Sequence, residues 1–230
     1  MSKTSNFNLI ILDESGSMSP SKVSTISGCN ETLSMLRSLK KEFGDRNEYF
    51  VSIYAFQSGS STPSRYLCKN SKIEKVNDIN SSDYNPCGMT PLLDAVGSTL
   101  ADLEMVADTH DDATGIVTII TDGYENSSQE YTYEHISKII ERMKAKGWTF
   151  NFIGANIDVE MVSSKLNINK SNCYSYDSTS IGTAAMFEDL NGSYHQAAME
   201  QAIEESAMPN MSIEEKRASR CNRSSKFFKK

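Results

Sequence analysis

The 230-residue sequence predicts an α/β fold of three layers: a mostly parallel central sheet with one antiparallel edge strand, and helices on both faces. Three observations carry that expectation. Short apolar runs alternate with segments of helical periodicity, the pattern left by strands joined through helical crossovers. Most of these runs are continuous rather than alternating, as strands buried on both faces require. Residues 65–68, followed by 72–76, do alternate polar and apolar positions behind a Pro63 turn, which places them as the antiparallel edge.

Residues 7–13 read as a buried strand ending on Asp13. A helix is predicted from Pro20 to about Phe43. Ser19 is placed to cap it, Pro20 suits its first position, and Val23, Ile26, Leu33, Leu36 and Leu39 line one stripe. Residues 49–56 form the second strand, and 77–90 a polar loop with an Asn-Pro turn and a glycine. Pro91 opens a helix reaching about Val106. Residues 115–121 are rich in β-branched side chains and run up to Asp122, so this strand belongs in the centre of the sheet. Beyond it, 133–145 is a helix closed by Gly147, 148–154 a strand, 159–166 a short helix and 173–176 a weak last strand. A final helix over 181–207 stops before Pro209.

With 38% apolar and 23% charged residues the chain can bury one sizeable core, so residues 1–208 are read as a single domain. A mean hydropathy of −0.44, with no apolar run near about eighteen residues, argues against a membrane span. The first residues lack the long apolar stretch of a secretion signal, and the five scattered cysteines include no C-x-x-C pair; a cytoplasmic protein with reduced thiols is expected. The net charge of −7 hides an asymmetry. All thirty acidic residues precede Lys216, against sixteen Lys and Arg there, so the body carries −14 and residues 216–230 carry +7. Residues 209–230 are therefore read as a basic, flexible C-terminal tail that also carries Phe227 and Phe228. Such a tail suits nucleic-acid phosphates, an anionic membrane or an acidic protein surface, and its composition does not choose among them.

In an open parallel sheet, ligands bind beyond the carboxyl ends of the strands, where the strand order reverses. Three polar clusters fall there: Asp13-Glu14-Ser15-Gly16-Ser17 after the first strand, Cys87-Gly88-Met89-Thr90-Pro91 before the second helix, and Thr121-Asp122-Gly123 after the central strand. Two carboxylates, Asp13 and Asp122, and three hydroxyls, Ser15, Ser17 and Thr90, make an all-oxygen donor set, which suits a hard cation: Mg²⁺ first, with Mn²⁺ as a substitute. A bare carboxylate at the end of a buried strand is costly without a cation or donors beside it. Gly16 is read as the residue that lets the Ser15–Ser17 turn take an unusual backbone conformation. Thr90 also reads as a helix N-cap before Pro91. His110, Asp111 and Asp112, with Asp108, read as a solvated turn, and His135 and His195 have no partner at metal-ligand spacing.

The order D-x-S-x-S, then a lone Thr, then T-D-G resembles the metal-ion-dependent adhesion site of the von Willebrand factor A family, over roughly residues 7–205. The size and layout resemble stand-alone bacterial and phage proteins of that kind. The resemblance implies a Rossmann-like sheet and a Mg²⁺ held directly by Ser15 and Ser17. It further implies that Thr90 joins in the ligand-competent state, with Asp13 and Asp122 acting through water. The remaining coordination position then takes a carboxylate from a protein partner, so the chain is expected to be an intracellular, non-enzymatic binding module. Glu14, at the free position of the motif, is expected to make the rim of the site more acidic, and Glu125 and Asn126 are expected in a solvated loop.

The alternative is a Mg²⁺-dependent phosphatase of haloacid-dehalogenase-like type, which also begins with an apolar strand ending in aspartate. That chemistry wants a second aspartate two residues on, where this chain has Ser15. No G-x-x-x-x-G-K-[ST] phosphate loop and no G-x-S-x-G elbow occurs.

Overall fold

A computed structural model describes residues 3–208 and 210–228. Six strands form one sheet: β1 (Thr4–Asp13), β2 (Asn47–Phe56), β3 (Arg65–Lys72), β4 (Ala113–Thr121), β5 (Thr149–Gly154) and β6 (Cys173–Ser175), in the order β3-β2-β1-β4-β5-β6. All pairings are parallel except β2 with β3. The expected three-layer α/β architecture with one antiparallel edge is thus the observed one. β1 and β4 are its two central strands, as the continuous apolar character of both dictates.

The helices are α1 (Lys22–Phe43), α2 (Leu92–Ala107), α3 (Tyr133–Ala145), α4 (Val159–Lys165), α5 (Ser180–Ala207) and α6 (Ile213–Arg223). Along β1, Phe7, Leu9 and Ile11 face a core shared with α2, α3 and α4, whereas Ile10 and Leu12 face a second core shared with α1 and α5. This alternation follows from the two-residue period of a strand, so a strand buried on both faces must be apolar at every position. Among the described residues no helix is long and apolar enough to cross a membrane.

On the second face α1 and α5 approach closely at Gly28. A Cβ there would lie 2.1 Å from ring atoms of the fully buried Phe187. Gly28→Ala is a direct test, because helix propensity favours alanine by about 1 kcal/mol while overpacking costs about 1–3 kcal/mol. A lowered urea midpoint is expected, and a raised one would show that the ring moves aside freely.

Four expectations need correction. Residues 16–21 wind into a 3-10 turn that contains Pro20, so Ser19 does not cap α1; its Oγ instead lies 3.4 Å from the Pro86 carbonyl oxygen. The edge strand is continuous over Arg65–Lys72 and passes into a 3-10 turn at Ile73–Lys75. Its irregular register on β2 coincides with Asn70, whose left-handed backbone (φ 44°) is held by mutual hydrogen bonds with Ser52.

The third correction concerns the basic segment, read as a flexible tail. Its described part forms α6 and packs on the domain, because Arg220 is the counter-charge of a buried carboxylate. The guanidinium reaches Asp112 with Nη1 to Oδ1 at 2.6 Å and Nη2 to Oδ2 at 3.1 Å, and Thr4 Oγ1 donates to the same carboxylate at 2.7 Å. Phe227 and Phe228 complete the second core beside Tyr194 and Tyr174. Pro209, Lys229 and Lys230 lie outside the described residues. The fourth correction follows: Asp112 is buried rather than part of a solvated turn, and His110 packs edge-on against Phe7 and Phe50.

Candidate metal centre

The strand order reverses between β1 and β4: β1 leads to β2 and β3 on one side, β4 to β5 and β6 on the other. The crevice beyond their carboxyl ends is where the three polar clusters meet. Asp13 closes β1 with no exposed surface. Its Oδ1 accepts the Ser15 amide at 2.7 Å, its Oδ2 accepts Thr121 Oγ1 at 2.6 Å, and its carbonyl accepts Tyr84 Oη at 2.7 Å. Ser15 Oγ stands 3.1 Å from Ser17 Oγ, which donates to Asp122 Oδ1 at 2.5 Å. The turn between β1 and α1 therefore sets two hydroxyls side by side, with Ser17 on the carboxylate that follows β4.

Thr90 reaches the same place from the β3–α2 loop. A Cβ added to Gly123 would lie 3.3 Å from Thr90 Oγ1 and 3.9 Å from Ser17 Oγ, so the bare glycine leaves open the space between them. Thr90 is not the N-cap of α2. Pro91 takes that position, and the free amides of the first turn are met from another element, Leu93 N–H by Glu125 Oε2 at 2.8 Å and Asp94 N–H by Ser128 Oγ at 3.0 Å. Nothing among the described residues hydrogen-bonds to Thr90 Oγ1. Its backbone is fixed on both sides by Asn126, whose Oδ1 accepts Thr90 N–H at 2.8 Å and whose amide donates to the Thr90 carbonyl at 3.2 Å. All five residues expected at a metal site are thus brought to one spot.

The electrostatics match that donor set. Burial pushes the Asp13 carboxyl up to about 6, against the hydrogen bonds of Thr121 and Ser15, and the Asp122 charge adds to the rise. Burial also raises Asp122, opposed by Ser17. Among the described residues neither carboxylate has an ion-pair partner. A positive charge is what this pocket lacks, and a divalent cation favours the ionised form of both groups.

Glu14 behaves oppositely, and the expectation that it makes the rim acidic is wrong. It is fully buried and paired with Arg65, Nη1 to Oε2 at 2.6 Å and Nη2 to Oε1 at 3.0 Å. It also accepts Asn85 N–H at 2.5 Å and Gln57 Nε2 at 3.1 Å, tying β3 and the loop that carries Thr90 to the β1 turn. The left-handed residue of the site is Gly88 (φ 74°), not Gly16, which lies in the ordinary 3-10 turn. A Cβ at Gly88 would fall 2.2 Å from the Ser58 carbonyl oxygen. Asn126, Thr121, Glu125 and Arg65 were not singled out as site builders. Only Thr121, inside the T-D-G run, carried a local signal; the others act through partners thirty or more residues away.

No family model and no curated protein matches the chain. Solved structures do. The pilus adhesin SpaC from Lactobacillus rhamnosus GG is 13% identical, with a TM-score of 0.59 over 84% of this chain and 31% of that one. A von Willebrand factor type A structure from Catenulispora acidiphila is 16% identical, with a TM-score of 0.52 over 84% of this chain and 43% of that one. Proximal thread matrix protein 1 from the mussel byssus is 15% identical, with a TM-score of 0.50 over 81% of this chain and 46% of that one. The chain spans less than half the length of each. Its sheet order, its antiparallel edge and these likenesses agree: the fold of this chain is that of the von Willebrand factor A domain.

Proposed function

We propose that the chain is a metal-dependent protein-binding module in which Asp13, Ser15, Ser17, Thr90 and Asp122 hold a divalent cation that grasps a carboxylate of a partner protein. The observation that carries the reading is the meeting of three hydroxyls and two carboxylates, raised by burial and without a counter-charge among the described residues, around Gly123. Mg²⁺ fits an all-oxygen set best, and Mn²⁺ is the expected substitute. A cation surrounded mostly by neutral hydroxyls keeps its attraction for an incoming carboxylate. The chain's own part is to fix the hydroxyls: Ser17 on Asp122, and Thr90 through Asn126. Five free cysteines fit a reducing, intracellular setting. A phosphatase role gains no support, since Asp13 is buried and both its oxygens accept hydrogen bonds where a nucleophile needs access.

Calorimetry with Mg²⁺ tests this on wild type and Asp13→Asn. The variant keeps the side-chain shape and removes the ionised carboxylate, so its stability in chelator should stay within about 1 kcal/mol of wild type. A binding heat in wild type that vanishes in Asp13→Asn is expected; equal heats would falsify the reading.

A further inference from the structure

The chemistry of the partner can be narrowed further, resting on the proposed metal site. Eight large apolar side chains are exposed among the described residues, and five of them, Val23, Met89, Tyr124, Met161 and Ile181, lie at the end of the sheet that carries the site. Their positions follow from topology. Val23, Met161 and Ile181 stand in the first turns of α1, α4 and α5, each following the carboxyl end of a strand, while Met89 adjoins Thr90 and Tyr124 adjoins Gly123. Tyr124 is braced, its Oη accepting Asp158 N–H at 2.8 Å, and Ser180 Oγ ties the start of α5 to the Pro20 carbonyl at 3.3 Å. Val23 and Ile181 are 81% and 85% exposed, in the first turns of helices that bury Leu33, Leu36 and Leu39 of α1 and Met186, Phe187 and Leu190 of α5. Apolar side chains gathered around a polar centre mark a protein-docking surface.

The charges say what kind of protein. With α6 docked, the chain as a whole carries −7, and Asp13 and Asp122 add two carboxylates at the site itself, so a run of acidic residues is disfavoured there compared with a single carboxylate that meets the ion. Basic side chains near the site are engaged, Arg65 with Glu14 and Lys22 with the Ser81 carbonyl and Asn85. We propose that the partner presents a single carboxylate set among apolar side chains, the carboxylate meeting the ion and the apolar neighbours covering Met89, Tyr124 and the Val23–Ile181 side.

A random peptide library displayed on phage, panned on the full chain in Mg²⁺ and eluted with chelator, tests this. The expected eluate is enriched in peptides with one Asp or Glu and a large apolar residue close beside it. The double variant Met89→Ser/Ile181→Ser should weaken the best such peptide by about tenfold or more, with the Mg²⁺ heat unchanged. Acidic runs without apolar neighbours, an empty eluate, or a variant that binds the peptide as wild type does would each overturn the proposal. The Mg²⁺ heat without peptide reports separately on the metal site, so failure of that reading is recognised on its own.

Discussion

Arg220→Ala is expected to lower the stability of the whole domain by about 3–5 kcal/mol at neutral pH, because it leaves Asp112 buried without its main counter-charge. Lys216, 3.4 Å from the same carboxylate, and Thr4 remain, but neither replaces a two-pronged guanidinium. Burial alone pushes the Asp112 carboxyl up; the hydrogen bonds and charge of Arg220, helped by Thr4 and Lys216, outweigh burial and hold it below its ordinary value of 3.8. A carboxyl depressed by folding contributes stability that is full above its unfolded pKa and is lost as pH falls through the folded one. Wild type should therefore lose this contribution only below about pH 4. In Arg220→Ala the burial penalty dominates, Asp112 takes up its proton at higher pH, and the gap between the two proteins narrows as pH falls. Urea unfolding at pH 7 and pH 4 reads both effects. A variant within about 0.5 kcal/mol of wild type at pH 7 would mean that α6 is not docked in solution.

Arg65→Met is the second large effect. Glu14 sits between Asp13 and Ser15 with no exposed surface, and Arg65 is its ion-pair partner. Without the guanidinium the carboxylate is stranded in low dielectric, a loss of about 3–5 kcal/mol. The consequence reaches the proposed metal site. Glu14 holds the Asn85 amide, its carbonyl accepts Cys87 N–H at 2.8 Å, and Gly16 N–H donates to the Gly88 carbonyl at 3.2 Å. These bonds set where the loop delivers Thr90. Mg²⁺ affinity should fall by about 10–100-fold, the usual cost of losing a residue that orients metal ligands. The double variant Glu14→Gln/Arg65→Met removes the stranded charge and should recover most of the stability and part of the affinity. Affinity unchanged in the single variant would show that the loop is held independently of this pair.

The two predictions concern residues that sequence reading placed wrongly, and for one reason. Glu14 looked like a rim residue, and Arg220 like part of a solvated arm, because charged side chains are read as solvated unless a partner is visible nearby in sequence. Their partners lie 51 and 108 positions away. Thr90 shows the same limit from the other side. Its position before Pro91 satisfies every local rule for a helix cap, yet Glu125 and Ser128 from the β4–α3 loop meet the first amides of α2 and leave its hydroxyl free.

What the sequence determined by itself was the architecture and the set of polar residues that the topology brings to one crevice. Apolar runs without alternation can be buried on both faces only in the middle of a parallel sheet, and such a sheet has one place where its strand order reverses. Asp13, Ser15, Ser17, Thr90 and Asp122 were legible because strand ends and helix starts are local features, and the topology carries them to one crevice. Tertiary structure alone decided which charges are neutralised, which hydroxyls are free and where the basic terminal segment goes. Those outcomes depend on pairing between groups far apart in the chain, and the strength of each pairing is set by a burial that exists only once the sheet and both helical layers have closed around it.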